Sequence, residues 1–305
     1  MLVIGSRGSQ LALWQANYIQ QRLNSRGFET RIEIIKTTGD RITDVPLAQI
    51  GGKGLFTKEI EDALLEGRID LAVHSLKDLP TTLPKGLTLA ATPPRHDPLD
   101  AMVGGRLAEL PPGAKVGTSS LRRAAQIRMH RPDLMIESIR GNLDTRLRKL
   151  DEGQYDAIVL AAAGLKRMGW GDRISQKLPA NIMCPAVGQG ALAIETKESS
   201  AGLEACAPLD DPWTRFAVTA ERALLGALGG GCQVPIGAYA TVHDSKLILT
   251  GVVIAPDGTR LIQQTVEGDL GKPVQLGRDL GESLLQRGAR EILDTVYSEP
   301  RDAAV

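Results

Sequence analysis

Two stretches, Val3-Ile4-Gly5-Ser6-Arg7-Gly8-Ser9 and Val116-Gly117-Thr118-Ser119-Ser120-Leu121-Arg122, each join a short β-branched run to an amphipathic run through small hydroxyl residues. Around the first, the hydrophobic periodicity predicts strands over Leu2 to Gly5, Thr30 to Lys36 and Ile69 to His74, with helices over Ser9 to Arg26 and Gly54 to Glu66 between them. Around the second, after the break at Pro93, Pro94 and Pro98, strands are expected over Lys115 to Gly117, Leu134 to Ile139 and Asp156 to Ala161, and helices over Ser120 to His130 and Asn142 to Glu152. Strand and helix alternate twice, which is α/β grammar. From about Asp211 the pattern changes to a helix (Pro212 to Leu228), strands near Val234, Leu247 to Ile254 and Arg260 to Val266, and a helix from Pro273 to Leu293. The expected organisation is residues 1–93 plus 190–210 as one α/β domain, 94–189 as a second facing it across a cleft, and 211–305 as a smaller α+β domain.

Composition bounds the function. Lys plus Arg (36) equals Asp plus Glu (36), so no global field holds nucleic acid or an anionic membrane, and aromatic residues, at 3%, offer few platforms for bases. Neither partner is expected. Cys184, Cys206 and Cys232 are odd in number and form no CxxC pair, and the four histidines show no HExxH spacing, so neither a disulfide framework nor a metal site is expected. No export signal is read at Met1 to Arg7, and a cytoplasmic location is expected. Ala223 to Val242 is uncharged over 20 residues, but its five glycines, Gln233 and Pro235 suit a buried helix passing through a glycine turn into a strand.

A helix N-terminus flanked by Ser or Thr presents unpaired N–H groups to an anion, and an arginine adds a bidentate fork. Both opening stretches have these parts, although Ser9 and Ser119 or Ser120 also suit plain N-caps, with Arg7, Arg122 and Arg123 as a solvated rim. Further basic residues stand at element ends and glycine turns: Lys53, Arg140 before Gly141, Arg146 one helical turn on, and Lys166-Arg167. In a neutral chain, their convergence would make a local site for a substrate rich in carboxylates. Lys53 lacks the glycine and hydroxyl residues of a P-loop. Gly188-Gln189-Gly190-Ala191-Leu192-Ala193 fits a loose dinucleotide pattern, but the residues after it read as strand. In His74-Ser75-Leu76-Lys77-Asp78-Leu79-Pro80, Asp78 is the candidate acid at a strand end, or else pairs with Lys77 or caps a turn. Cys232 follows three glycines and precedes Pro235, which suits a sulfur held at the tip of a turn better than a buried thiol.

Taken together, Ser6-Arg7 with Leu11 to Gln15, Gly51 to Phe56, His74 to Pro80, Val116 to Arg123, Arg140-Gly141-Asn142 and Gly230 to Pro235 resemble the porphobilinogen deaminases over nearly the whole chain. The resemblance implies two similar, binding-protein-like α/β domains around a cleft plus a smaller α+β domain. It further implies a monomer with a dipyrromethane cofactor bound to Cys232 by a thioether. Onto this primer four porphobilinogen molecules condense with loss of ammonia, and water then releases hydroxymethylbilane. Each pyrrole bears an acetate and a propionate. The resemblance assigns their binding to Arg7, Ser9, Lys53, Ser75, Lys77, Thr118, Ser119, Arg122, Arg123, Arg140, Gly141, Arg146, Arg167 and Gln189, and catalysis to Asp78, with no metal. Gly229 stands where the family commonly has an acid, and Leu99 where a basic residue is frequent. A non-catalytic small-anion-binding protein with a two-domain cleft is the alternative reading.

Overall fold

A computed structural model describes residues 1–41, 55–230 and 234–298. Lys53 and Cys232 lie outside the described residues.

The first sheet has the order β2-β1-β3-β10-β4. Its strands are β1 (Leu2–Ser6), β2 (Thr30–Ile34), β3 (Leu71–Ser75), β4 (Leu87–Ala91) and β10 (Leu192–Lys197). β1 runs parallel to β2 and β3, whereas β10 is antiparallel to both β3 and β4. The second sheet repeats the plan in the order β7-β6-β8-β5-β9, from β5 (Asp100–Val103), β6 (Lys115–Gly117), β7 (Met135–Glu137), β8 (Ala157–Ala161) and β9 (Gln176–Leu178). There β6 is parallel to β7 and β8, and β5 is antiparallel to β8 and β9. Each sheet thus takes in one antiparallel strand across a long connection, β10 after the second sheet is complete and β5 before it begins. The chain crosses between the sheets twice, through residues 92–99 and 179–191.

Helices cover the sheets because their apolar stripes demand it. α1 (Gln10–Asn24) buries Ala16, Ile19 and Leu23 on a core with Ile4, Leu71 and Ile194. Next come a single turn, α2 (Thr38–Arg41), and α3 (Lys58–Glu66), whose Ile60, Ala63 and Leu64 are buried. α4 (Leu121–His130), α5 (Leu143–Asp151) and the short α6 (Ala162–Arg167) flank the second sheet, and α7 (Ala201–Cys206) returns to the first.

The third unit is an antiparallel sheet, β11 (Ile236–His243), β12 (Lys246–Ile254) and β13 (Leu261–Asp269), under α8 (Pro212–Ala227) and α9 (Pro273–Leu284). Glycines let these helices touch: a Cβ on Gly277 would lie 2.3 Å from the Ala220 carbonyl oxygen. The single helix expected over Pro273 to Leu293 is instead broken. A loose turn at Leu285–Ala289 separates α9 from α10 (Arg290–Ser298), because Gly288 adopts φ 102°. α8 ends as expected, passing through Gly229 at φ 66° towards β11. No helix among the described residues is long and apolar enough to cross a membrane.

Candidate active site

The two larger sheets face each other across a cleft of about 580 Å³. From the first sheet, Arg7 and Ser9 enter it between β1 and α1, and Ser75, Lys77 and Asp78 at the end of β3. β3 is a buried apolar strand that stops in a tight turn over Leu76–Asp78. Leu76, 1% exposed, anchors that turn, and Pro80 prevents it from growing into a helix. Lys77 and Asp78 therefore project into the cleft at a strand terminus. The Ser75 hydroxyl accepts a 2.9 Å hydrogen bond from Gln15 on α1, and Ser9 caps α1 by accepting from the Ala12 N–H.

The second sheet contributes Arg123 from α4, Arg140 and Gly141 before α5, and Arg146 and Lys149 on it. Among the described residues, six cationic side chains (Arg7, Lys77, Arg123, Arg140, Arg146 and Lys149) thus meet two carboxylates, Asp78 and Asp144, in the lining. In a chain of zero net charge, this is a focused positive field. The groups feel one another. Burial pulls the Arg146 guanidinium down to about 10, and repulsion from Arg123 and Arg140 adds to it, against the pull of Asp78. Burial also lowers Lys77, with Asp78 opposing. Arg140 is lowered by burial, and its Nη1 is buried without a hydrogen-bond partner among the described residues. Arg7 lies over the Phe56 ring, 4.2 Å from its centroid.

The remaining assigned residues sit behind this surface. Asp100, fully buried at the head of β5, accepts from Arg122 Nη1 (2.7 Å), Arg123 Nε (2.9 Å) and Nη2 (2.7 Å), and Gln189 Nε2 (3.0 Å). Burial alone would raise its carboxyl, but the two guanidiniums outweigh that and hold it well below the usual carboxylate range. Arg122, 4% exposed, also donates to the Cys184 carbonyl, so it braces its neighbour and does not line the cleft. Ser119 bonds the Ile139 carbonyl at 2.6 Å, Thr118 Oγ1 accepts from the Ser120 N–H, and Ser120 is the residue that caps α4. Arg167 donates to the Gly190 carbonyl (2.7 Å) and lies 5.8 Å from the Trp14 ring centroid, tying the second half to α1 across the crossing. Burial pulls its guanidinium down to about 10.

Sequence reasoning missed Asp100, the acid that orients two of the assigned arginines. A carboxylate opening the otherwise apolar run Asp100-Ala101-Met102-Val103 was the available signal. Gly188 and Gly190 prove to be turn glycines, at φ 69° and 87°, and β10 follows them as the sequence expects. A Cβ on Gly190 would approach the His96 carbonyl oxygen to 2.6 Å. Among the described residues no cluster of three His, Cys, Asp or Glu forms a metal site.

Two paired α/β sheets with a cationic cleft between them, a carboxylate at a strand end and a smaller antiparallel-sheet unit beside them describe an α/β protein with a cleft whose lining suits anions. Residues 2–205 match the family model for the porphobilinogen deaminase dipyromethane cofactor binding domain, and residues 215–286 that for the porphobilinogen deaminase C-terminal domain. The chain is 51% identical over 300 residues to the porphobilinogen deaminase of Syntrophobacter fumaroxidans, covering 96% of this chain and 97% of the relative. It is 51% identical over 306 residues to that of Chromobacterium violaceum, covering 98% and 99%. The chain belongs to the porphobilinogen deaminase family. Among solved structures it is similar to a periplasmic substrate-binding protein of an ABC transporter from Coxiella burnetii, with TM-score 0.44 and 13% identity, covering 68% of this chain and 91% of that one.

Proposed function

We propose that Asp78 is the catalytic carboxylate, and that the cations around it hold the carboxylates of a pyrrole chain anchored at Cys232. As a member of its family, the chain condenses porphobilinogen molecules head to tail onto a dipyrromethane primer with loss of ammonia, and water then releases hydroxymethylbilane. The observation that carries the site reading is the charge imbalance of the cleft, six cations against two carboxylates among the described residues. Arg140 Nη1, buried with no hydrogen-bond partner among the described residues, and the repulsion that Arg146 feels from Arg123 and Arg140 support a site built for several anions.

The residues fit the cofactor. Arg123, Arg140, Arg146, Lys77 and Arg7 would hold its acetates and propionates, with Ser9 and the Ser75 hydroxyl completing the rim. When bound, the dipyrromethane supplies an electron-rich pyrrole carbon as the point of extension. Asp78, fixed at the end of β3, would supply a negative charge to offset the positive charge that develops on the substrate ring as ammonia departs. Asp100 orients Arg123 towards the cleft, and Arg122 and Gln189 hold Asp100 in turn. Thr118 and Ser119 shape the turn into α4, and Arg167 fixes the crossing. The same reading takes residues 1–93 plus 190–210, 94–189 and 211–305 as three domains of a monomeric cytoplasmic enzyme that needs no nucleic acid.

Asp78→Asn tests the reading, since it keeps the shape and removes the charge. The variant should fold and carry the two-pyrrole mass excess, but release ammonia slower by about 10²-fold or more. Near-normal turnover by that variant would refute the role.

A further inference from the structure

Helix α8 belongs to the third sheet's unit, yet one of its faces grips the turn that carries Asp78. Arg222 donates Nη1 to the Leu79 carbonyl (3.1 Å), and Nη2 to those of Pro80 (2.6 Å) and Thr81 (3.1 Å). These are the three carbonyls immediately after Asp78. Pro80 has no N–H to join a ladder, so a planar guanidinium with several donors is the group that can fix this backbone. One turn earlier, Val218 packs in a buried cluster with Leu76, Leu79, Ala191 and Ala193.

The residue beside Arg222 secures the other end of the turn. Glu221, fully buried, accepts from the Gly188 N–H at 2.7 Å. Gly188 lies so close over Leu76 that a Cβ would come within 2.9 Å of Leu76 Cγ. The Leu76 N–H in turn donates to the Ala191 carbonyl (3.1 Å). Positions 218, 221 and 222 share one helical face by their i, i+3, i+4 spacing. Both ends of the Leu76–Asp78 turn are therefore held from α8. In sequence, that same helix runs on into the glycines that precede Cys232.

We propose that Arg222 is a positioning residue for the Asp78 carboxylate, acting through the Leu79–Thr81 backbone, so that the helix leading to the tether also sets the catalytic turn. The proposal rests on the reading of Asp78 as the catalytic group. Arg222 is not among the described residues that line the cleft.

The test uses the full-length enzyme carrying its cofactor, with Arg222→Ala, Arg222→Lys, Asp78→Asn and the double variant Asp78→Asn/Arg222→Ala. Arg222→Ala should keep the two-pyrrole mass excess and lose about 10- to 100-fold in kcat, with KM within about threefold of wild type. Hydrogen exchange should quicken in the peptide covering residues 76–83. Arg222→Lys, which keeps charge and stem but cannot span three carbonyls, should show the same pattern more weakly, and it carries the test if the alanine variant gives no soluble holoenzyme. The double variant should be no slower than Asp78→Asn alone, because Arg222 acts through Asp78. Wild-type kcat and exchange in both Arg222 variants, or multiplying losses in the double variant, would overturn the proposal while leaving Asp78 in place. Fast turnover by Asp78→Asn alone would remove the underlying reading and the proposal with it.

Discussion

Replacing Asp100 by Asn removes one charge from a fully buried carboxylate behind the cleft. The wild-type group receives four hydrogen bonds, from Arg122, twice from Arg123, and from Gln189. Arg122 and Arg123 are 4% and 7% exposed, so neither guanidinium can turn to water when its counter-charge is lost. An asparagine keeps one acceptor and turns an NH₂ towards donors. Breaking a buried pair in this way costs about 3–5 kcal/mol, a large share of the roughly 5–15 kcal/mol that holds a typical domain folded. The assay is denaturant unfolding followed by far-UV circular dichroism, comparing midpoints across pH. The folded-state pKa of Asp100 lies below its unfolded value, so its contribution is present above the unfolded value and is lost as pH falls through the folded one. The gap between wild type and variant should hold constant from pH 8 to about pH 5 and narrow only in acid. Equal midpoints at neutral pH would refute the account of this cluster.

Two further outcomes follow from buried groups outside the chemistry. Burial, with Glu195 adding to it, raises the Glu61 carboxyl above its ordinary range, so its favourable contribution is present below the unfolded pKa and lost as pH rises through the folded one. Glu61→Gln should therefore gain in melting temperature relative to wild type as pH rises from 5 to 8, and a gap that does not change with pH would contradict this. Burial pushes the Cys184 and Cys206 thiols up to about 12, so neither should react with iodoacetamide in the native protein at pH 8, while both should label in denaturant. Rapid native labelling at either position, read by peptide mass, would count against the packing described.

The parts of the fold that follow from local pattern were legible. Leu2 to Gly5 and Lys115 to Gly117 read as strands from their β-branched runs, and the helices after them from periodicity and their Ser caps. What periodicity cannot carry is pairing between distant segments. β5 is four residues long and lies between β8 and β9, so the carboxylate opening its apolar run does not say which cations it faces. The basic residues could likewise be named but not sorted, because local sequence does not say which guanidinium finds an internal partner. Arg122 meets Asp100 and the Cys184 carbonyl, whereas Arg140 Nη1 has no hydrogen-bond partner among the described residues. The helix expected over Pro273 to Leu293 runs through Gly288, since a single glycine costs a helix only about 1 kcal/mol and does not by itself announce a break.

The claim that a pyrrole primer is tethered at Cys232 is tested most directly by the intact mass of the purified protein. The wild-type chain should exceed its sequence mass by two pyrrole units joined through a thioether, and Cys232→Ser should weigh what its sequence predicts. An unmodified wild-type chain that still turned over porphobilinogen, or a Cys232→Ser variant retaining the excess, would contradict the account.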